Sequence, residues 1–404
     1  MAKWTVMVFM GADGVEGNVS LEKEADDDIE ELKRIPDSNQ LKILIDRHGP
    51  GRAGRFRIEK GELKNVVPPN AALAKAASLS SPEAFANGVA LQDFFKQSLP
   101  RTFQAAAPAD GQSYTMLVLW GHAYDFTFGP TATRFGIDAL DYGEIARVLS
   151  EVTNKGQKKL DIVAFDACAI ATLEIAYQFE PFANYLVASQ IGIPRPGWPY
   201  QRVFERLADP LSKDKVVSEL DPSQLGSYIV RRYCEAYQSF ELPVSLSHLD
   251  LRRVRPLAAL ADQLASALAI AMEQDENEQA IVSEVFKLAQ TVDEQPFVDV
   301  ASLSRLLVRF SGDDQVRAAA KALGDAVLAP AAPVRGQSAP FVIENGFNSI
   351  ETAGLSGVSL YAPNVAPNHD FAAASPFYEK LAFARDTLWR DLVRALALPN
   401  QVCC

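Results

Sequence analysis

The feature that most constrains this chain is a set of short, nearly unbroken apolar runs, each of which stops at small or polar residues. They read "WTVMVFMGADG" (Trp4–Gly14), "LKILIDRHG" (Leu41–Gly49), "TMLVLWGHA" (Thr115–Ala123), "DIVAFDAC" (Asp161–Cys168), "YLVASQI" (Tyr185–Ile191) and "GVSLYAPN" (Gly357–Asn364). Apolar residues without alternation suit strands covered on both faces, as in a parallel sheet. Between the runs, apolar spacing predicts helices over Leu21–Ile35, Pro82–Gln97, Tyr142–Glu151 and Ala169–Phe179. Strand alternating with helix gives an α/β fold with a mostly parallel sheet flanked by helices.

Composition narrows the function classes. With 39 basic and 51 acidic residues, net −12, the chain lacks the basic surface that nucleic-acid binding needs. Of the four cysteines (Cys168, Cys234, Cys403 and Cys404), none forms a CxxC or Cys/His cluster. A structural zinc site and a disulfide scaffold are therefore not expected, and a reducing compartment suits the chain. No apolar run reads as long enough to cross a membrane. Lys3 followed by Trp4–Met10 mimics a secretory leader, but the run is short and enters "GADG" and an acidic helix. It reads as a core strand, which makes a cytoplasmic location the expectation. No GxGxxG or P-loop follows any run, so a nucleotide-binding module has little support.

The second half differs in texture. Residues 213–340 read as mainly helical, rich in Ala and Leu, and end in the linker "APAAPVRGQSAP". Strand character returns at Phe341–Glu344 and Gly357–Asn364, and Phe377–Leu396 has the pattern of an amphipathic helix. The expected organisation is an α/β region over 1–212, a mainly helical region over 213–340, and returning strands with a closing helix over 341–404 that pack on the first region.

Function in open α/β sheets gathers at the carboxyl ends of strands. Those ends here carry Asp13, Asp46-Arg47-His48, His122 and Asp166 with Cys168. Cys168 is read at the seam between a strand and a helix N-terminus, where N–H groups favour a thiolate. His122 ends a neighbouring run and is placed to exchange a proton with it, as a Cys–His pair requires. The backbone N–H groups of Cys168 and Ala123 are candidate oxyanion donors. A cysteine after a buried strand is also often an inert core residue, and a strand-end histidine often structural, so placement alone leaves both readings open.

The residues also carry a family resemblance. "FDACAIATLEIAYQF" followed by "YLVASQ" and "GWPY", together with "VLWGHA", resembles the clostripain family of cysteine peptidases, which share the caspase-like fold. "WTVMVFMGADGVEGN", "SLSHLDLRRVRPL", "FVDVASL" and "GLSGVSLYAPN" extend the likeness over nearly the whole chain. The resemblance implies a caspase-like sheet and an endopeptidase acting on peptide or protein substrates. Cys168 would be the nucleophile and His122 the general base and acid. Asp166 would line a pocket for an Arg or Lys side chain before the cut bond, with Asp13, Ser189 and Trp198 as further substrate-binding residues. Asp13 reads equally as a helix cap, and Trp198 as a core tryptophan. The resemblance also implies self-cleavage between His and Cys, with Arg134 as the candidate site and the turn "NKGQKK" (Asn154–Lys159) as a second. Calcium dependence, known for some members, is a further expectation, although nothing in the sequence requires a cofactor.

The chain departs from the family pattern in three places. Ala123 follows the histidine where glycine is usual, and the loop "YDFTFGPTATRFGID" has lost its glycine-rich character. Arg195 and Pro196 stand before Gly197-Trp198 where an acid is usual. Substrate choice is thereby open, and a catalytically inactive caspase-like scaffold or regulatory protein is the alternative. The acidic stretch Leu21–Arg34 lacks calcium-loop spacing and reads as a solvated helix face. His48 reads as a rim residue, His248 and His369 have no partner that the sequence names, and Cys234 reads as core.

Overall fold

A computed structural model describes residues 3–12, 20–49, 52–66, 88–99, 113–129, 140–208, 220–291, 295–329, 340–366 and 369–397. In chain order the elements are β1 (Trp4–Gly11), α1 (Glu22–Lys33), β2 (Leu41–His48), β3 (Gly54–Glu59), β4 (Glu62–Asn65), α2 (Val89–Ser98) and β5 (Tyr114–Gly121). Then come β6 (Ala123–Tyr124), β7 (Thr127–Phe128), β8 (Leu140–Asp141), α3 (Tyr142–Val152), β9 (Leu160–Asp166), α4 (Leu173–Phe179), β10 (Ala183–Ala188), α5 (Tyr200–Ala208) and α6 (Pro222–Ala236). The remainder is β11 (Ser245–Asp250), α7 (Val254–Gln274), α8 (Glu276–Leu288), β12 (Phe297–Asp299), α9 (Val300–Phe310), α10 (Asp314–Val327), β13 (Val342–Phe347), β14 (Ser359–Tyr361), α11 (Phe371–Tyr378), α12 (Ala382–Asp386) and α13 (Trp389–Ala397).

The main sheet has nine strands in the order β13-β11-β10-β9-β5-β1-β2-β3-β4. Its centre, β10-β9-β5-β1-β2, is parallel, and antiparallel strands close both edges. The apolar runs have the physical cause read from them. Along β1, Val6, Val8 and Met10 face a layer formed by α1, α5 and α6, while Met7 and Phe9 face α2, α3 and α4. Every residue of β1 and of β5 is buried, so neither strand has a solvent face to make polar.

The span read as mainly helical contains a strand. β11, "SLSHLD", adds antiparallel to β10 and carries β13 on its outer side. Its polar residues hid it: Ser245 and Ser247 on one face and His248 on the other are all fully buried, so the strand shows neither an apolar run nor a clean polar and apolar alternation. "GVSLYAPN" does form a strand, but β14 pairs with β12 in a separate two-stranded sheet. Among the described residues one helix, Leu251–Gln274, is long and apolar enough to cross a membrane by length and composition alone, a stretch the sequence reading did not single out. Half of its most apolar stretch is buried, with Leu257, Ala261, Leu264 and Leu268 in the protein core.

The C-terminal elements are tied to the sheet through polar groups. Gln190 Nε2 donates to Asp299 Oδ2 (3.1 Å) and Ser359 Oγ (2.9 Å), while Gly357 N–H donates to Gln190 Oε1 (2.6 Å). Fully buried Glu174 on α4 accepts from Tyr361 N–H (2.8 Å). Burial raises its pKa from 4.5 to about 7, against the opposing pull of its hydrogen bonds. Between those values the folded protein holds a proton that the unfolded chain has released. This group therefore subtracts stability as pH rises from about 4.5 to about 7. Urea melts across that range should show falling stability, and Glu174→Gln should flatten the slope; an unchanged slope would place the proton elsewhere.

Candidate active site

β5 and β9 lie side by side in parallel register, with Trp120 opposite Asp166. His122 and Cys168 are each the second residue beyond that pair, so the register brings them to one point on the carboxyl edge. Both are partly buried, and both line one cavity of about 110 Å³. Its other walls are Leu21 from the α1 approach, Trp120, Gly121, Asp166 and Ala167 at the strand ends, and the segment Ile193–Arg195 with Gly197.

Local backbone sets each side chain. At Gly121, φ is +144° and a Cβ would stand 2.7 Å from the Gly11 carbonyl oxygen, so only glycine lets β5 turn this close to β1. The chain then folds into the β6–β7 hairpin, where Gly129 N–H donates to the His122 carbonyl (2.9 Å). The Tyr124 ring lies 5.7 Å from the His122 ring at an interplanar angle of 33°.

Cys168 sits in a turn, and α4 begins only at Leu173, capped by Thr172 Oγ1 accepting from Ile175 N–H (3.2 Å). The expected placement at a helix N-terminus is corrected accordingly: no dipole acts on the sulfur at first-turn range. The helix starts late because the intervening residues are held elsewhere. Ala169 takes φ +54° and donates to Ile191 O (2.9 Å), Ala171 donates to Ser189 O (2.8 Å), and Ala171 O accepts from Ser359 N–H (2.9 Å). What the sulfur does receive is the Ile193 N–H at 3.4 Å, a donor that favours negative charge there.

Asp166 forms one wall and is 4% exposed. Its Oδ2 accepts from Trp198 N–H (3.0 Å) and Tyr200 Oη (3.0 Å), while its Oδ1 has no hydrogen-bond partner. Burial raises its pKa to about 7 despite those two donors. Gly197, at φ +62°, passes so close that a Cβ would lie 2.9 Å from Oδ2. Beside it, Asp28 of α1 accepts from Trp120 Nε1 (2.7 Å), and burial, then the Asp166 charge, pushes its pKa well up.

Not every expected residue reaches the cavity. The Trp198 side chain packs in the core with Tyr200 and Phe204, so only its backbone N–H serves the site. Ser189 is fully buried, its Oγ accepts from Ile191 N–H (3.1 Å), and it does not line the cavity. His48 is buried against Phe9, ring centroids 4.9 Å apart, and does not line the cavity. Ala123 opens β6 opposite Phe128 and is also outside the lining. Asp13 and Arg134 lie outside the described residues. Cys234 packs under Gly346, and burial raises its thiol pKa to about 12. His248 meets Ser227 Oγ at 3.2 Å, and burial lowers its pKa to about 3. His369 meets Tyr361 Oη at 2.7 Å and lies 3.6 Å from Asp125 Oδ1, three residues past His122.

The acidic helix is not the solvated face read from its composition. Glu22 and Asp26 pair with buried Arg47, Glu24 pairs with Arg195 at 2.6 Å, and Glu31 accepts from Gln201 N–H. Glu24 and Asp28 are buried on the side of the helix that carries Ala25, Ile29 and Leu32. That four-residue spacing was the overlooked signal. Among the described residues no group of three or more His, Cys, Asp and Glu side chains is arranged to hold a metal ion.

The Clostripain family profile matches residues 8–394. Clostripain of Hathewaya histolytica is 30% identical over 147 residues, which spans 32% of this chain and 27% of that protein's length. Two solved structures share the fold. One is a secreted C11 cysteine protease from Bacteroides thetaiotaomicron in complex with an irreversible peptide inhibitor (TM-score 0.61, 16% identity, 97% of this chain and 99% of that one). The other is an inactive zymogen C11 protease from Parabacteroides distasonis (TM-score 0.57, 18% identity, 96% and 98%). With a caspase-like sheet and a profile match over nearly its full length, the chain belongs to the clostripain family, the C11 cysteine peptidases.

Proposed function

We propose that the chain is a cysteine endopeptidase working through a Cys168–His122 dyad and cutting after Arg or Lys. The observation that carries the reading is the shared cavity: a thiol and an imidazole at adjacent strand ends, with a buried carboxylate in the same wall. His122 takes the thiol proton, and the sulfur attacks the carbonyl carbon of the bond to be cut. The backbone N–H of Cys168 receives the developing oxyanion, and the N–H of Ala123, which adjoins the lining residue His122 without itself lining the cavity, is the second donor in this reading. Collapse of the tetrahedral intermediate breaks the C–N bond, and His122 gives its proton to the departing amine. Neutral His122 then activates water to hydrolyse the thioester, which returns the thiol and releases the acid. Asp166 is the counter-charge for a cationic side chain before the cut bond. Self-cleavage in the segment between His122 and Cys168, at Arg134 or in the Asn154–Lys159 turn, belongs to the same reading.

Cys168→Ala should abolish cleavage of peptide reporters and of the chain itself, a loss of about 10⁴-fold or more by comparison with removing other protease nucleophiles. Intact mass and reporter assays check this, and persistent cleavage would sink the dyad. Peptide mapping after iodoacetamide should find Cys168 modified well before Cys234, whose thiol burial holds near 12. Equal sluggishness of the two would favour the inactive scaffold.

The pH dependence has a definite sign. Below about 7 Asp166 keeps its proton and loses its attraction for a cation. The ratio of kcat/KM for an Arg or Lys reporter to that for an apolar reporter should therefore rise with pH through about 7, because dyad titration cancels in the ratio. Asp166→Asn should remove that rise. A ratio independent of pH in the wild type would remove Asp166 from the substrate pocket.

A further inference from the structure

The cavity wall contains a cation of the protein's own. Arg195 lines it beside Cys168 and Asp166, and its Nε (2.9 Å) and Nη2 (2.6 Å) both contact one oxygen of Glu24, Oε1. The second oxygen, Oε2, is buried without a hydrogen-bond partner, as is Oδ1 of Asp166 in the same wall. Glu24 is 9% exposed, whereas the Arg195 side chain is 57% exposed. One partner is therefore fixed in the protein and the other is free to swing into water. Glu24 lies one turn beyond Leu21, itself a cavity residue, and one turn before Asp28, which holds the cavity residue Trp120.

From this arrangement, and resting on the peptidase reading above, we propose that Glu24 of α1 is the second carboxylate of the substrate pocket and that Arg195 is its resting counter-ion, displaced by the substrate's cationic side chain. A buried carboxylate deprived of its cation is strongly disfavoured, so Glu24 is held neutralised by Arg195 until another guanidinium or ammonium arrives. An incoming guanidinium has five N–H donors in a planar fork. It would meet the two unpartnered oxygens, Glu24 Oε2 and Asp166 Oδ1, neither of which Arg195 satisfies. Arg195 thus competes with the ligand, and Glu24 attracts it. Glu24 is a specificity residue, and no chemical step passes through it.

The test is direct binding of agmatine, a free guanidinium probe, to Cys168→Ala protein, at a pH where Asp166 is ionised. Adding Glu24→Gln should weaken Kd by about tenfold, the worth of one charge-assisted hydrogen-bonded contact. Adding Arg195→Gln should tighten it severalfold. The two changes break the same ion pair, so a purely structural role would move both in one direction and lower both melting temperatures alike. Agmatine affinity unaffected by Glu24→Gln, or weakened by both substitutions, overturns the proposal. On the Cys168 background the same opposition should appear in KM for an Arg reporter. If agmatine binding follows the expected order while no reporter is cut, the pocket assignment stands and the peptidase reading falls.

Discussion

The site depends on the backbone lacing that holds the turn after β9. Ala169 and Ala171 donate to carbonyls at Ile191 and Ser189, and the Ala171 carbonyl accepts from Ser359. These bonds keep residues 169–172 out of the helix that their apolar pattern would otherwise extend, and so present Cys168 in a turn facing His122's side of the cavity. They also fix where the 192–198 segment passes, and that segment supplies the Ile193 N–H to the sulfur and the Trp198 N–H to Asp166. Cys168, the donor to its sulfur and the Asp166 carboxylate are therefore one hydrogen-bonded unit.

The far end of the chain supports this unit. β14 meets the turn at Ser359 and α4 at Tyr361, and Gln190 joins Asp299, Ser359 and Gly357 in a buried network. Buried polar groups of this kind are costly when half satisfied and position their neighbours well when complete. The C-terminal elements are thus packed and hydrogen-bonded against the layer that carries Cys168, with Asp299 accepting from both Gln190 and Ser356.

Charge is arranged with the same economy. The chain is acidic overall, yet the acids of α1 are partnered one by one: Arg47 takes Glu22 and Asp26, Arg195 takes Glu24, and the Trp120 indole takes Asp28. Arg195 replaces an acid where the family usually has one, and it is answered by an acid from another element. A position read alone suggests a weakened pocket; the fold shows a charge balanced across α1 and the 192–197 segment.

The sequence by itself determined the parallel sheet, because strands buried on both faces must be apolar throughout, and that requirement is written in consecutive residues. It likewise determined that His122 and Cys168 stand at the carboxyl edge, since each follows such a run. It could not yield β11, whose serines and His248 face inward to partners on α6 and β13. Nor could it yield the late start of α4, the displacement of Trp198 and Ser189 from the cavity, or the partners of Glu24, Asp28 and His369. The late start of α4 and the partners of Glu24, Asp28 and His369 rest on hydrogen bonds or ion pairs between residues distant in the chain, and local periodicity carries no information about which group will arrive. Only the tertiary structure decides those pairings, because only the packed layers bring the donors to the acceptors.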